Sequence, residues 1–152
     1  MELHQKKFNE IRKLLQSRLG DRVKISEEYG NERLELKDSS FWMMTDQSEL
    51  TVGYGANHTH FSTDYNNLED GIIMAFDLLT NPVKTTQYIK GNTVFRVMTE
   101  IEYPGSKPVN IGTTSILIYP FWKKTKTEIT VSEGILDRND IREEVNLILN
   151  EE

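Results

Sequence analysis

The pattern of apolar and polar positions predicts three amphipathic helices, because apolar residues recur at three- and four-residue spacing in three parts of the chain. The first helix covers about residues 3–19 and ends at Gly20, a residue type that readily adopts the left-handed conformation at helix ends. The second runs from about Asn67 to Leu79, and the third follows Asp137, which fits the N-cap position. Their apolar stripes are Phe8, Ile11, Leu14, Leu15 and Leu19; Leu68, Ile72, Ala75, Phe76 and Leu79; and Ile141, Val145, Ile148 and Leu149.

Gly71 lies inside the second predicted helix, where glycine costs roughly 1 kcal/mol relative to alanine. Two interpretations are open. Either this turn of the helix packs so closely on the sheet that no side chain fits, or the glycine is merely tolerated.

Between the helices, short alternating or apolar runs bounded by turn residues are typical of β-strands. Residues 22–54 predict two hairpins, and residues 83–103 predict another around a Gly-Asn turn. We predict a central strand over residues 111–119, because Ile116-Leu117-Ile118 is the most apolar stretch, and a shorter strand over residues 127–132. The expected fold is therefore α+β: a mainly antiparallel sheet of about six to eight strands, with an N-terminal, a central and a C-terminal helix packed on it.

Length and composition predict one α+β domain over residues 1–152, because single domains commonly have 100–200 residues. The chain has no cysteine, which excludes disulfides, thiol nucleophiles and zinc sites built on thiolates. It also has no long apolar run and no apolar segment after its first residues. We therefore expect a cytoplasmic protein.

The net charge of −6 is concentrated at one end of the chain, where residues 133–152 hold seven acidic and two basic side chains. A negative chain without a basic stripe is unsuited to nucleic acid or to an anionic membrane, so we predict neither as a partner. The acidic helix could instead bind a basic protein through Asp140, Glu143 and Glu144. Its charge could also serve only to keep the protein in solution.

Trp122 is a further candidate for partner binding, because it follows Pro120, where a strand is expected to end. Lys123, Lys124 and Lys126 lie beside it. The same lysine-rich segment could instead protect the edge of the sheet from aggregation.

His58 and His60 form the only constellation with an evident chemical interpretation. Two histidines separated by one residue on a strand point to the same face and could share a metal ion, with Asp64 or Glu69 as an oxygen ligand. A metal-bound water at such a site would permit hydrolysis. The alternative is a strand end whose polar residues satisfy backbone groups before the second helix.

The segments Val52-Gly53-Tyr54-Gly55 and His58-Thr59-His60-Phe61, followed by a helix with acidic residues in its first turn, resemble small immunity proteins of bacterial polymorphic-toxin systems. The resemblance implies an α+β domain in which a His-x-His-Phe strand precedes a helix. It also implies a stoichiometric function in the cytoplasm, namely occlusion of the active site of a cognate toxin. An acidic face would suit a basic toxin such as a nuclease.

We therefore predict a non-enzymatic binding protein, most simply an immunity protein, with no catalytic residues and no cofactor. Two alternatives are a metal-dependent hydrolase that uses the His-x-His site and a module that binds a small ligand between the sheet and the helices. The chain contains no Gly-x-Ser-x-Gly nucleophile motif and no complete phosphate-binding glycine motif. The oligomeric state does not follow from the sequence.

Overall fold

The structure is a computed structural model, and it describes residues 1–151. Within these residues the chain forms three α-helices and nine β-strands. The helices are α1 (Leu3–Leu19), α2 (Leu68–Thr80) and α3 (Arg138–Asn150). The strands are β1 (Val23–Glu28), β2 (Asn31–Leu36), β3 (Phe41–Thr45), β4 (Leu50–Tyr54), β5 (Asn57–Phe61), β6 (Val83–Lys90), β7 (Thr93–Ile101), β8 (Val109–Ser115) and β9 (Thr125–Ser132). The predicted α+β class and the three helices are confirmed.

The strands differ from the prediction in number and in grouping, because they form two antiparallel sheets instead of one sheet of six to eight strands. The first sheet has five strands in the order β1-β2-β3-β4-β5, and each strand pairs with the next along the chain. The second has four strands in the order β8-β7-β6-β9. Helix α2 separates β5 from β6, so the chain leaves the first sheet there and starts the second one.

The main core lies between one face of the first sheet and helices α1 and α2, and α3 packs against both helices. Alternate residues of the sheet point to this core, as the two-residue period of a strand requires. The largest fully buried side chains are Phe8, Ile11, Leu15, Leu34, Phe41, Met43, Leu50, Val52, Phe76, Leu79, Ile101 and Ile141.

No helix in the described residues is long and apolar enough to cross a lipid bilayer.

Gly71 is required by close packing, which resolves the choice left open by the sequence. It is buried on α2, directly above the ring of Phe61 on β5. A Cβ atom at position 71 would lie 2.6 Å from Cγ of Phe61, closer than real Cβ contacts. The glycine therefore lets α2 approach the first sheet.

We expect Gly71→Ala to lower the free energy of unfolding by about 1 kcal/mol. Overpacking costs about 1–3 kcal/mol, and the gain in helix propensity offsets about 1 kcal/mol of it. Urea unfolding measures the difference. In a Phe61→Ala background Cγ and Cδ2 of residue 61 are absent, so the same glycine substitution should cost less stability than in the wild-type background. A stabilising effect in the wild-type background would show that the contact is not tight.

The two sheets meet where the buried side chain of Asn57 leaves the start of β5. Its Nδ2 donates to the Val97 carbonyl at 3.1 Å and to Thr99 Oγ1 at 2.8 Å, both on β7. Its Oδ1 accepts a hydrogen bond from Thr114 Oγ1 on β8 at 2.5 Å. Gly112 lies against the same side chain, and a Cβ there would be 2.9 Å from Cβ of Asn57. The side-chain amide of Asn57, hydrogen-bonded at both its nitrogen and its oxygen, thus holds the second sheet against the edge of the first.

The predicted central strand over residues 111–119 is wrong in two respects: its first part belongs to β8, which is an edge strand of the second sheet, and its second part is not a strand. Strand β8 ends at Ser115, and Ile116-Leu117-Ile118 lies outside the sheet with all three side chains exposed. The reason is topological. Strand β9 joins the sheet at β6, on the far side from β8, so the chain after Ser115 must cross the ends of β7 and β6 before it can pair again. Apolar composition alone could not reveal that crossing.

A polar cluster joins α2, α3 and the segment after β7. The Asp77 carboxylate is largely buried on α2 and accepts hydrogen bonds from Tyr103 Oη at 2.8 Å and from the Arg138 guanidinium at 2.7 Å. Burial and the hydrogen bond to Asp77 raise the pKa of Tyr103 to about 12.

The raised pKa predicts how stability changes in alkaline solution. The unfolded chain loses the Tyr103 proton near pH 10, whereas the folded protein keeps it to about pH 12. The stabilisation is therefore fully present below pH 10 and is lost as the pH rises through about 12. We expect Tyr103→Phe to show a shallower loss of stability than wild type over this range, measured by urea unfolding at several pH values. Parallel losses in the two proteins would contradict this account.

Candidate protein-binding surface

The segment Ile116–Trp122, which we call the apolar loop, presents large hydrophobic side chains to solvent. Their exposed fractions are 96% for Leu117, 91% for Ile118, 73% for Phe121 and 72% for Trp122, and Ile116 is also exposed. Single exposed hydrophobic residues are common on protein surfaces, but a contiguous group marks a binding site or an aggregation liability. Five such side chains in seven residues form a contiguous group.

The apolar loop is anchored at its base to the β6–β7 hairpin. The ring of Tyr119 stacks on Phe95 with 4.7 Å between ring centroids. The backbone N–H of Ile116 donates to the Phe95 carbonyl at 3.0 Å, and Lys90 Nζ donates to the Lys123 carbonyl at 3.0 Å. These contacts hold both ends of the loop and leave the hydrophobic side chains outside.

The loop also has internal order. The backbone N–H of Phe121 donates to the Tyr119 carbonyl at 2.8 Å, and that of Lys123 donates to the Pro120 carbonyl at 3.0 Å. The rings of Phe121 and Trp122 meet edge to face at 5.3 Å. A surface that is ordered before binding loses less conformational entropy on association.

Four lysines lie in or beside the apolar loop and give this end of the molecule a positive charge. Lys90 donates to the carbonyl of Lys123, the residue that follows the loop, Lys124 comes next, and Lys126 lies on β9. Only Lys126 of these four lysines lies on the edge strand β9, so the edge-protection hypothesis is confined to that residue. Its ammonium group pairs with Glu128 on the same strand at 3.1 Å.

The acidic residues predicted for partner binding lie together on α3, but basic side chains accompany them. Arg18 of α1 forms an ion pair with Glu144 and also donates to the Asp140 carbonyl at 3.2 Å. Arg142 borders the same shallow surface, on which Glu143 is also exposed. Arg18 thus offsets part of the negative potential that the sequence predicts, and Trp122 is not among the residues that line this surface.

His58 and His60 lie on the outer face of the first sheet, with 5.0 Å between their ring centroids. The carboxylate that contacts His60 is that of Glu49, whose Oε1 is 2.6 Å from His60 Nδ1. Asp64 lies in the exposed turn after β5, and Glu69 lies in the first turn of α2. Among residues 1–151, no group of three or more histidine, aspartate and glutamate side chains could hold a metal ion.

Sequence reasoning missed Glu49, although the strand register contains the signal. Thr51 of β4 pairs with His60 of β5, and residue 49 points to the same face two positions earlier. Glu49 therefore lies diagonally across from His60, within reach of a long side chain. The Thr51 hydroxyl completes the contact, 3.1 Å from His60 Nδ1.

An ordered row of side chains continues across this outer face. The Arg33 guanidinium lies 4.2 Å from the ring centroid of Trp42, and the His58 ring lies 5.6 Å from the same ring. The indole covers Gly53, where a Cβ atom would be 2.2 Å from Trp42 Cε2, and its N–H donates to the Gly55 carbonyl at 3.0 Å. The Gly-x-Gly segment thus accommodates an aromatic side chain.

A groove of about 120 Å³ lies between α2 and α3, lined by apolar side chains that include Ile73 and Leu149, with Arg138 and Arg142 at its border. Pockets for small molecules usually have volumes of about 300–1,000 Å³. The groove is smaller than that, and it lies between two helices, not between the sheet and the helices as a small-ligand module would require.

Comparison with known proteins found no matching family model, no similar curated protein and no similar solved structure.

Proposed function

We propose that this chain is a non-enzymatic binding protein that covers a protein partner, and that the apolar loop is the part that enters the partner. The observation that supports this proposal most directly is the solvent exposure of Leu117, Ile118, Phe121 and Trp122 on an anchored loop. Aromatic side chains that fill a pocket on the partner commonly contribute most of the binding energy of an interface.

The chemistry of the loop defines the partner that it would fit. The exposed aliphatic and aromatic side chains need an apolar cleft, and the lysines at positions 90, 123 and 124 favour acidic groups around its rim. A cleft of this kind is a common form of an enzyme active site. A loop inserted there would block access of substrate without any reacting group on the inhibitor.

The resemblance to immunity proteins supports a cognate toxin as that partner. In this role the protein binds one toxin molecule and keeps its active site closed. The acidic surface at Asp140, Glu143 and Glu144 remains a separate hypothesis for contact with a basic toxin. The two surfaces carry opposite charge, so the apolar loop favours acidic groups on the partner and the acidic surface favours basic ones.

The experiment that tests the proposed function uses the product of the neighbouring gene, which the resemblance implies is a toxin. The purified chain and that protein are mixed, and both the stoichiometry of the complex and the activity of the toxin are measured. We expect a one-to-one complex and complete loss of toxin activity. A toxin domain from an unrelated system is the control and should retain its activity. The proposal is wrong if the neighbouring protein neither binds nor is inhibited.

A further inference from the structure

Strand β9 leaves one edge of the second sheet open. It is the terminal strand in the order β8-β7-β6-β9 and pairs with β6 alone. The pairing is regular over all eight residues, Thr125 to Ser132, without a bulge, and all eight residues are exposed. The backbone groups on its other side have no partner within residues 1–151.

The composition of β9 favours pairing with a further strand. Five of its eight residues are β-branched: Thr125, Thr127, Ile129, Thr130 and Val131. Open edges are usually protected by proline, a bulge, a short strand or unpaired charge. This strand has no proline and no bulge, and the charge of Lys126 is balanced by Glu128.

We propose that β9 pairs antiparallel with β9 of a second copy of this chain, so that the two four-stranded sheets become one continuous sheet. A two-fold axis perpendicular to the sheet places a given residue of both copies on the same face of the joined sheet. Residues that lie opposite each other must also share a face, so one residue lies opposite itself at the axis. We assign this position to Thr127. Lys126 of each copy then lies opposite Glu128 of the other copy, which forms two equivalent ion pairs.

The registers with the axis at Lys126, Glu128 or Ile129 are less favourable. An axis at Lys126 would place two ammonium groups opposite each other, which destabilises a cross-strand pair. An axis at Glu128 would place two carboxylates opposite each other, which destabilises a cross-strand pair. An axis at Ile129 would place Glu128 opposite Thr130 and leave both charges without an opposite charge across the interface. The axis at Thr127 also pairs two threonines, which is a favourable cross-strand combination. Charge complementarity therefore selects a second copy as the occupant and fixes the register.

Because the chain has no cysteine, single cysteine variants test the register directly. In an antiparallel pair, opposed Cα atoms are about 4.5–5.5 Å apart, which is suitable for a disulfide. With copper phenanthroline as the oxidant, we expect Thr127→Cys to form a disulfide-linked dimer efficiently. Ile129→Cys is the matched control, and it should cross-link poorly because the two residues would be displaced along the strands.

Charge variants test the ion pairs without any covalent bond. The wild-type protein should show reversible dimerisation by analytical ultracentrifugation over a wide concentration range. We expect Lys126→Glu to raise the dissociation constant of the dimer about tenfold, because a carboxylate at position 126 of each copy then lies opposite Glu128 of the other copy. The double variant Lys126→Glu/Glu128→Lys should restore it. Lys13→Glu, on an exposed position of α1, makes the same change in net charge and should have little effect.

A wild-type protein that stays monomeric at all concentrations would overturn this inference. Efficient cross-linking of Ile129→Cys instead of Thr127→Cys would overturn the register. A β9 that binds an extended segment of a different protein, while the chain alone stays monomeric, would show that the occupant is not a second copy. None of these results depends on the apolar loop, so this inference and the proposed function succeed or fail separately.

Discussion

Replacing Phe121 and Trp122 with serine is expected to weaken binding of the proposed toxin partner by about 100-fold or more, because buried aromatic anchors typically contribute about 2 kcal/mol or more each. Both side chains are largely exposed in the free protein, so the unfolding curve should match that of the wild type. Titration calorimetry measures the affinity, and urea unfolding serves as the control for stability. The two measurements together distinguish loss of contact from loss of fold.

A second pair of substitutions distinguishes the apolar loop from the acidic helix. Glu143→Lys/Glu144→Lys reverses the charge of α3, and it should slow association at low salt only if this helix faces the partner. We expect the loop variant to have the much larger effect on affinity. If the helix variant abolishes binding and the loop variant leaves it unchanged, the assignment of the apolar loop is wrong and the acidic surface is the contact.

Lys7→Met is expected to lower the free energy of unfolding by about 2–4 kcal/mol. This is the largest effect on stability that we predict for a single substitution, although lysine is ordinarily an exposed residue. Lys7 is buried on α1. Its ammonium group donates to the Ile148 carbonyl at 2.5 Å and to the Glu151 carbonyl, at the C-terminal end of α3. It also pairs with Glu10 at 3.2 Å. A positive charge there stabilises the negative end of the helix dipole.

The control for Lys7 is the same substitution at Lys13, which is exposed on α1 and should change stability by at most about 0.5 kcal/mol. Methionine preserves much of the apolar stem of lysine, so the comparison isolates the ammonium group. Amide hydrogen exchange provides the structural check, because the last turn of α3 should lose protection in Lys7→Met. Equal stability of the two variants would show that the carbonyls at the end of α3 do not need this donor.

The helices could be predicted from the sequence because each depends on a repeat that is local. The first helix was expected over residues 3–19 and is observed at Leu3–Leu19. Asp137 was expected to cap the third helix, and its side chain accepts a hydrogen bond from the Asn139 N–H at 2.8 Å. Spacing and capping involve residues within about one helical turn, so the chain need not fold further for these signals to be present.

The candidate surfaces could be predicted only in part. The exposure of Trp122 was anticipated because Pro120 interrupts the strand pattern. The exposure of Leu117 and Ile118 was not, because an apolar run has the same composition in a central strand and in a crossing loop. The contact between Glu49 and His60 depends on the register of two strands, which the list of residues does not specify.

The sequence alone determined the local structure of the chain, namely three helices and a set of hairpins. It also excluded any thiol chemistry. Only the tertiary structure decided that the strands divide into two sheets, that a lysine on α1 reaches the end of α3, and that the most apolar segment lies in solvent. The physical reason is the range of the interactions involved. Periodicity and turns are set by near neighbours, whereas burial is set by whichever distant segments pack together.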